Sequence, residues 1–330
     1  MLILWLIAFS VSASGFINPY PKSRSIKLNE DAGERLLLTP YIESGKLDEA
    51  RNLSKVSPLK GNVTSYSGFL TVDKECDSNM FFWFFPARES PETAPVSVWL
   101  QGGPGSTSLY GLFDELGPYE LTPAGNLKVR KYAWNIASNY IFIDNPVGTG
   151  FSYTSTIDCY SRNQTHVGKN LLEAVKQVLK LFPELQKNPF FVTGESYGGK
   201  YVPALAYAIH KDNEKQENKI NLQGLAIGNG LVDPGNQLHY GDYLYQLGLI
   251  DSNARDYFHQ QEDTCRKFIE NEDWNGAFFC FDSLLNGDVV PEDSYFKNVT
   301  GFTFYFNYLY SKDRPEGDVD GYVNKASVSK

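Results

Sequence analysis

Residues 190–203 constrain this chain more than any other segment. Phe190, Phe191 and Val192 form a short apolar run leading into Gly194-Glu195-Ser196-Tyr197-Gly198, and a helical periodicity follows, with Val202, Leu205, Ala206 and Ile209 on one face. A strand, G-x-S-x-G and a helix in immediate succession are the sequence form of a nucleophile elbow, a sharp turn that holds a serine hydroxyl out above an α/β sheet. Glycines flank the serine because the turn is strained and side chains there would collide with the neighbouring strand and helix. The pentapeptide alone is weak evidence; the strand before it and the helix after it give it force. Ser196 is read as a nucleophile.

The surrounding sequence supplies the sheet such an elbow needs. Strand patterns occur at 66–72, 79–85, 96–100, 140–143, 190–193 and 222–227, the second a nearly continuous aromatic run that suits a strand buried on both faces. Between them, Leu171, Leu172, Val175, Val178, Leu179 and Phe182 recur at helical spacing, with Thr165 as a cap candidate. Strands alternating with helices predict a mostly parallel sheet with helices on both faces, an α/β-hydrolase fold. Residues 16–60 read as an extended polar arm. After Leu231 the pattern turns helical and amphipathic through 236–288, like a cap inserted above the sheet, and the last residues read as polar loop. The expected organisation is a leader at 1–15, a hydrolase core at 16–230 and a helical cap with a truncated tail at 231–330. With 330 residues, 42% of them hydrophobic, the chain can bury a sizeable core.

Met1 to Val11 is apolar but too short to span a bilayer, and Ser12-Ala13-Ser14-Gly15 supplies small residues suited to signal-peptidase cleavage. No other stretch reaches transmembrane length. Four N-x-[ST] sequons, at Asn52, Asn62, Asn163 and Asn298, fit a secreted, lumenal or lysosomal protein carrying glycans. Cys76, Cys159, Cys265 and Cys280 lack metal-ligand spacing, and no metal or other cofactor is expected. In an oxidising compartment three disulfide pairings are open; Cys265–Cys280 with Cys76–Cys159 is favoured, and free thiols remain the alternative for the second pair. A net charge of −9 with scattered cations argues against nucleic acid, and the sequence leaves room for a homodimer.

A serine hydroxyl needs a base to remove its proton, and the oxyanion it generates needs fixed donors. The glycine-rich turn Gln101-Gly102-Gly103-Pro104-Gly105 directly follows a strand, so the oxyanion hole is assigned to the N–H groups of Gly103 and of Tyr197, the residue after the nucleophile.

The segments Trp99-Leu100-Gln101-Gly102-Gly103-Pro104-Gly105, Asp144-Asn145-Pro146-Val147-Gly148-Thr149-Gly150-Phe151-Ser152-Tyr153 and Gly194–Pro203 occur in that order. Together they resemble the serine carboxypeptidase family, most closely its vitellogenic-carboxypeptidase-like branch, over about residues 30 to 311. The resemblance implies release of C-terminal residues from peptides and proteins at acidic pH. It also implies a network that holds the substrate carboxylate without an arginine: Gln101, where many members have Asn, the N–H of Gly102, and Glu195. A glutamate beside a substrate carboxylate is a like-charge pair that one shared proton relieves.

The general base is harder to place. In this fold the acidic and histidine partners follow the nucleophile on late loops. His166 precedes Ser196, His210 ends the elbow's own helix, and His239 and His259 fall in the helical insertion, where a pairing of Asp233 with His239 is only nominal. The C-terminal portion that carries these partners in the family is expected to be missing, making this chain a fragment or an inactive isoform. The competing readings are a catalytically dead peptide-binding or scaffold protein and an acyltransferase of the same fold.

Overall fold

A computed structural model of the chain describes residues 33–312 and 317–325, which divide into two compact units, the larger holding 33–237 and 317–325 and the smaller 238–312. The expected leader at 1–15 lies outside the described residues. In the larger unit the elements run α1 (Thr39–Glu43), α2 (Leu47–Ser54), β1 (Lys55–Val56), β2 (Ser65–Asp73), β3 (Ser78–Phe85), β4 (Val96–Leu100), β5 (Tyr119–Leu121), β6 (Leu127–Val129), β7 (Asn139–Ile143), α3 (Gln164–Leu181), β8 (Phe190–Glu195), α4 (Gly198–Asn213), β9 (Leu222–Gly228) and α5 (Pro234–Gln237). The smaller unit contains α6 (Tyr240–Gln246), α7 (Ser252–Glu270), α8 (Trp274–Phe281) and α9 (Tyr295–Thr300); α10 (Val319–Val323) returns to the larger.

Seven strands form one sheet in the order β1-β2-β3-β7-β4-β8-β9, antiparallel from β1 to β7 and parallel from β7 to β9. This is the α/β-hydrolase architecture. Both faces of the central strands are buried, so side chains alternate between two cores rather than between core and water. Val96, Val98, Ile141, Ile143 and Val192 enter one core with Leu171, Val175, Leu205 and Ile209 of α3 and α4. Trp83, Phe85, Trp99, Tyr140 and Phe142 enter the other. β9 is the open edge: among the described residues it pairs only with β8, and Leu225 is half exposed. The disulfides are Cys76–Cys159 and Cys265–Cys280, with Cα separations of 5.8 and 5.5 Å.

Four features depart from the sequence reading. The arm is not extended throughout: α1 and α2 interrupt it, because Leu38, Ile42 and Ala50 bury against the first core. The cap of α3 is Asn163, whose Oδ1 accepts from the His166 N–H at 2.8 Å, two residues before the expected Thr165. The hairpin of β5 and β6 was too short, at three residues a strand, to show a period. The tail is not all polar loop: Asp318 caps α10, and Val319 and Val323 enter the second core, with Tyr322 edge-on to Phe113 at 5.6 Å.

If that short helix contributes to the core, Val319→Ala should lower stability to urea by about 1.5 kcal/mol, while exposed Lys325→Ala should stay within about 0.5 kcal/mol of wild type. Equal stabilities for the two variants would place the segment outside the cooperative core.

Candidate active site

The site is built where two parallel strands end. β4 and β8 pair with Leu100 opposite Gly194, so the Gln101–Gly105 turn and the Ser196 elbow emerge side by side at the C-terminal edge of the sheet, the usual location of α/β sites. Their proximity leaves no room for side chains. A Cβ on Gly194 or on Gly198 would lie 2.4 or 2.6 Å from the Leu100 carbonyl oxygen, and a Cβ on Gly102 would lie 2.5 Å from Tyr197 N and 2.6 Å from Ser196 Cβ. Ser196 itself has φ +57°, a left-handed conformation that costs a non-glycine residue about 1–3 kcal/mol. Three backbone bonds hold it there: Ser196 N–H donates to Gly228 O at 3.0 Å, and its carbonyl accepts from Gly199 N–H at 3.0 Å and Leu231 N–H at 2.9 Å.

Gln101 points into the protein and is buried. The indole Nε1–H of Trp99 donates to Gln101 Oε1 at 2.8 Å. An indole can only donate, so this bond fixes the amide with its nitrogen on the other side. There Gln101 Nε2 donates to Glu195 Oε2 and to Glu115 Oε1, each at 3.2 Å. Glu115 ends a single π-turn, Gly111–Glu115, closed by the Leu116 N–H to Gly111 O bond at 2.9 Å; such turns are frequent at functional sites.

Two carboxyl groups bridged by one amide cannot both be ionised cheaply. Burial, then a hydrogen bond to Glu195 and its charge, push the Glu115 carboxyl up to about 8; the bond from Gln101 opposes this. At neutral pH Glu115 therefore carries a proton.

The structure brings Gly102 against Ser196 and Tyr197, and Gln101 against Glu195, with Gly103 next in the same turn. It adds Glu115 and Trp99, which sequence reasoning missed. The available signal was an acidic pair, Asp114-Glu115, ending an apolar run shortly after the glycine turn. The histidines fall on the elements expected of them. In the larger unit, His210 lies twelve residues along α4 from Gly198, roughly 18 Å, and pairs with Glu214 at 3.4 Å, while His166 sits in the first turn of α3. In the smaller unit, His259 Nε2 lies 2.9 Å from Asp242 Oδ1. Asp233 accepts from the Asn236 amide at 2.6 Å. All four sequon asparagines are exposed. Among the described residues no group of three potential ligands could hold a metal ion, and no helix is long and apolar enough to cross a membrane.

An α/β-hydrolase sheet with a strained serine at its elbow defines the class. The serine carboxypeptidase family model matches residues 57–303, and the chain belongs to that family. It is 54% identical to the venom serine carboxypeptidase of Apis mellifera over its whole length, spanning 72% of that relative. It is 47% identical over 96% of its length to the vitellogenic carboxypeptidase of Aedes aegypti, spanning 68% of it. Against the probable serine carboxypeptidase CPVL of Homo sapiens it is 48% identical over 89% of its length, spanning 62%. Among solved structures, the prohormone-processing carboxypeptidase Kex1(delta)p of Saccharomyces cerevisiae superposes with a TM-score of 0.61 at 22% identity, over 85% of this chain and 73% of that one, a likeness of fold.

The raised Glu115 carboxyl has a definite thermodynamic sign. Between its unfolded value near 4.5 and its folded value near 8, the native chain keeps a proton that the unfolded chain has lost, so stability falls as pH rises through that window. Glu115→Gln, which cannot ionise, should gain stability relative to wild type from about pH 5 to pH 8 and run parallel to it above. Urea unfolding measured across that range checks this, and a constant difference would mean Glu115 ionises normally.

Proposed function

We propose that this chain carries the nucleophile and the chain-end recognition site of a serine-type carboxypeptidase. Ser196 Oγ attacks the carbonyl carbon of the last peptide bond, the terminal amino acid leaves with the proton, and water then releases the acyl group from the serine. The N–H groups of Gly103 and Tyr197 stabilise the oxyanion. Gln101, the N–H of Gly102 and Glu195, with Glu115 behind them, hold the substrate's terminal carboxylate. The observation that carries this reading is the Gln101 amide, 3.2 Å from two carboxyls and one residue from the turn packed against Ser196.

A third carboxylate, from the substrate, can enter only while the pair retains its proton. Binding therefore weakens as pH rises through about 8, which favours work on the acidic side. The exposed sequons and two disulfides support a secreted or lysosomal setting.

Among the described residues of the larger unit no imidazole is hydrogen-bonded to Ser196, and that observation favours a second reading, a peptide-binding protein with little turnover. Without a positioned base, the oxyanion hole and binding leave only about 10³–10⁴-fold acceleration over water. A fluorophosphonate separates the two: stoichiometric labelling of Ser196 within minutes indicates an activated hydroxyl, and its absence a binding protein. The recognition half is tested with Ser196→Ala. Its affinity for the blocked dipeptide Z-Phe-Leu should drop about tenfold or more between pH 6 and pH 9, and Glu195→Gln in the same background should flatten the profile. An unaltered profile would reject the shared proton.

A further inference from the structure

Asp144 is the most deeply buried carboxyl near the site, fully enclosed just past the end of β7. Burial pushes it up to about 6, with Asp320 of α10 adding to the rise; the three hydrogen bonds it accepts oppose this. Its Oδ1 accepts from the Thr107 hydroxyl at 2.6 Å and the Ser108 N–H at 3.0 Å, and its Oδ2 from the Phe151 N–H at 2.9 Å. The 144–151 loop closes on it so tightly that a Cβ on Gly150 would lie 2.1 Å from Asp144 Oδ2. A buried carboxyl without a cation among its bonded partners is a poor stabilising device, so its placement calls for another account.

Its partners lead to the site by two routes. Ser108 Oγ donates to Ile143 O at 2.6 Å and accepts from the Gln101 backbone N–H at 3.2 Å, so the residue gripped by Asp144 also fixes the clamp amide's backbone. Ser108 O accepts from Leu112 N–H at 3.2 Å, and Tyr110 N–H donates to Thr107 O at 3.1 Å. The same two residues thus start the turns that deliver Glu115.

We infer that Asp144 is a positioning residue of the chain-end clamp, holding Thr107 and Ser108 so that Gln101 and Glu115 meet Glu195 in register. It touches no substrate. This rests on the chain-end reading above, and the test keeps the two apart. In the Ser196→Ala background, calorimetry compares Z-Phe-Leu with its C-terminal amide, Z-Phe-Leu-NH2. Adding Asp144→Asn puts an N–H where one of three donors must be accepted, and should cut the preference for the free carboxylate by about tenfold. Thr107→Val, which removes the 2.6 Å donor, should cut it severalfold, and Thr107→Ser should restore it. Should Asp144→Asn fail to fold, the Thr107 pair decides. A carboxylate preference in the Ser196→Ala protein that survives Thr107→Val, and Asp144→Asn where it folds, would overturn the positioning role alone. Absence of any preference in the Ser196→Ala protein would overturn the chain-end reading itself.

Discussion

The carbonyl oxygen of Leu100 is the fixed point from which the site is laid out. It belongs to the last residue of β4, and two glycines of the elbow, Gly194 and Gly198, pack onto it at distances no side chain tolerates. That contact forces the serine turn and the following glycine turn to share one small space. Gly102 then lies against the Ser196 Cβ and the Tyr197 amide, so the turns from two strands meet at the serine. Rigidity here follows from the sheet: the parallel register of β4 and β8 is locked by side chains buried on both faces, and a slip would turn each core inside out.

From this frame the amide–carboxyl cluster follows as a consequence of register. Leu100 faces one core, its neighbours Trp99 and Gln101 the other, and the indole reaches its own strand's amide two residues on. The amide is left with one orientation. Its Nε2 is engaged by two carboxyls, so in the proposed clamp a substrate carboxylate exchanges for one of those bonds rather than filling an idle donor.

Most of the sheet was legible in the sequence because its strands are long, apolar and bounded by turns. Six strand patterns and the helix α3 fall within a residue or two of their observed bounds, and α4 was legible through its apolar face. The elbow and glycine turn were legible for a different reason: only glycine fits such approaches, so the requirement is written into residue identity. Glu115 was not legible. Its partner lies eighty positions away, its π-turn has no sequence period, and a glutamate beside an aspartate ordinarily reads as solvated surface. The tail helix escaped notice because one turn carrying two valines among aspartates and glycine has too little periodicity to register. In each case the deciding fact was a tertiary partner, and local pattern is silent about partners.

The cluster's chemistry turns finally on a cation that is near but engaged elsewhere. Arg130 feels the charges of Glu120, Asp114 and Glu115, yet its guanidinium donates to the carbonyls of Phe113, Gly117 and Tyr119 at 2.7, 3.0 and 3.2 Å. It braces the turn that carries Glu115 rather than neutralising it. Had that fork met Glu115 directly, the cation would have opposed the rise in its pKa. With a neutral amide between them instead, the only charge that can balance the pair is a proton. In the proposed clamp, affinity for an anionic chain end is thereby tied to pH by the choice of glutamine over a cation at one buried position.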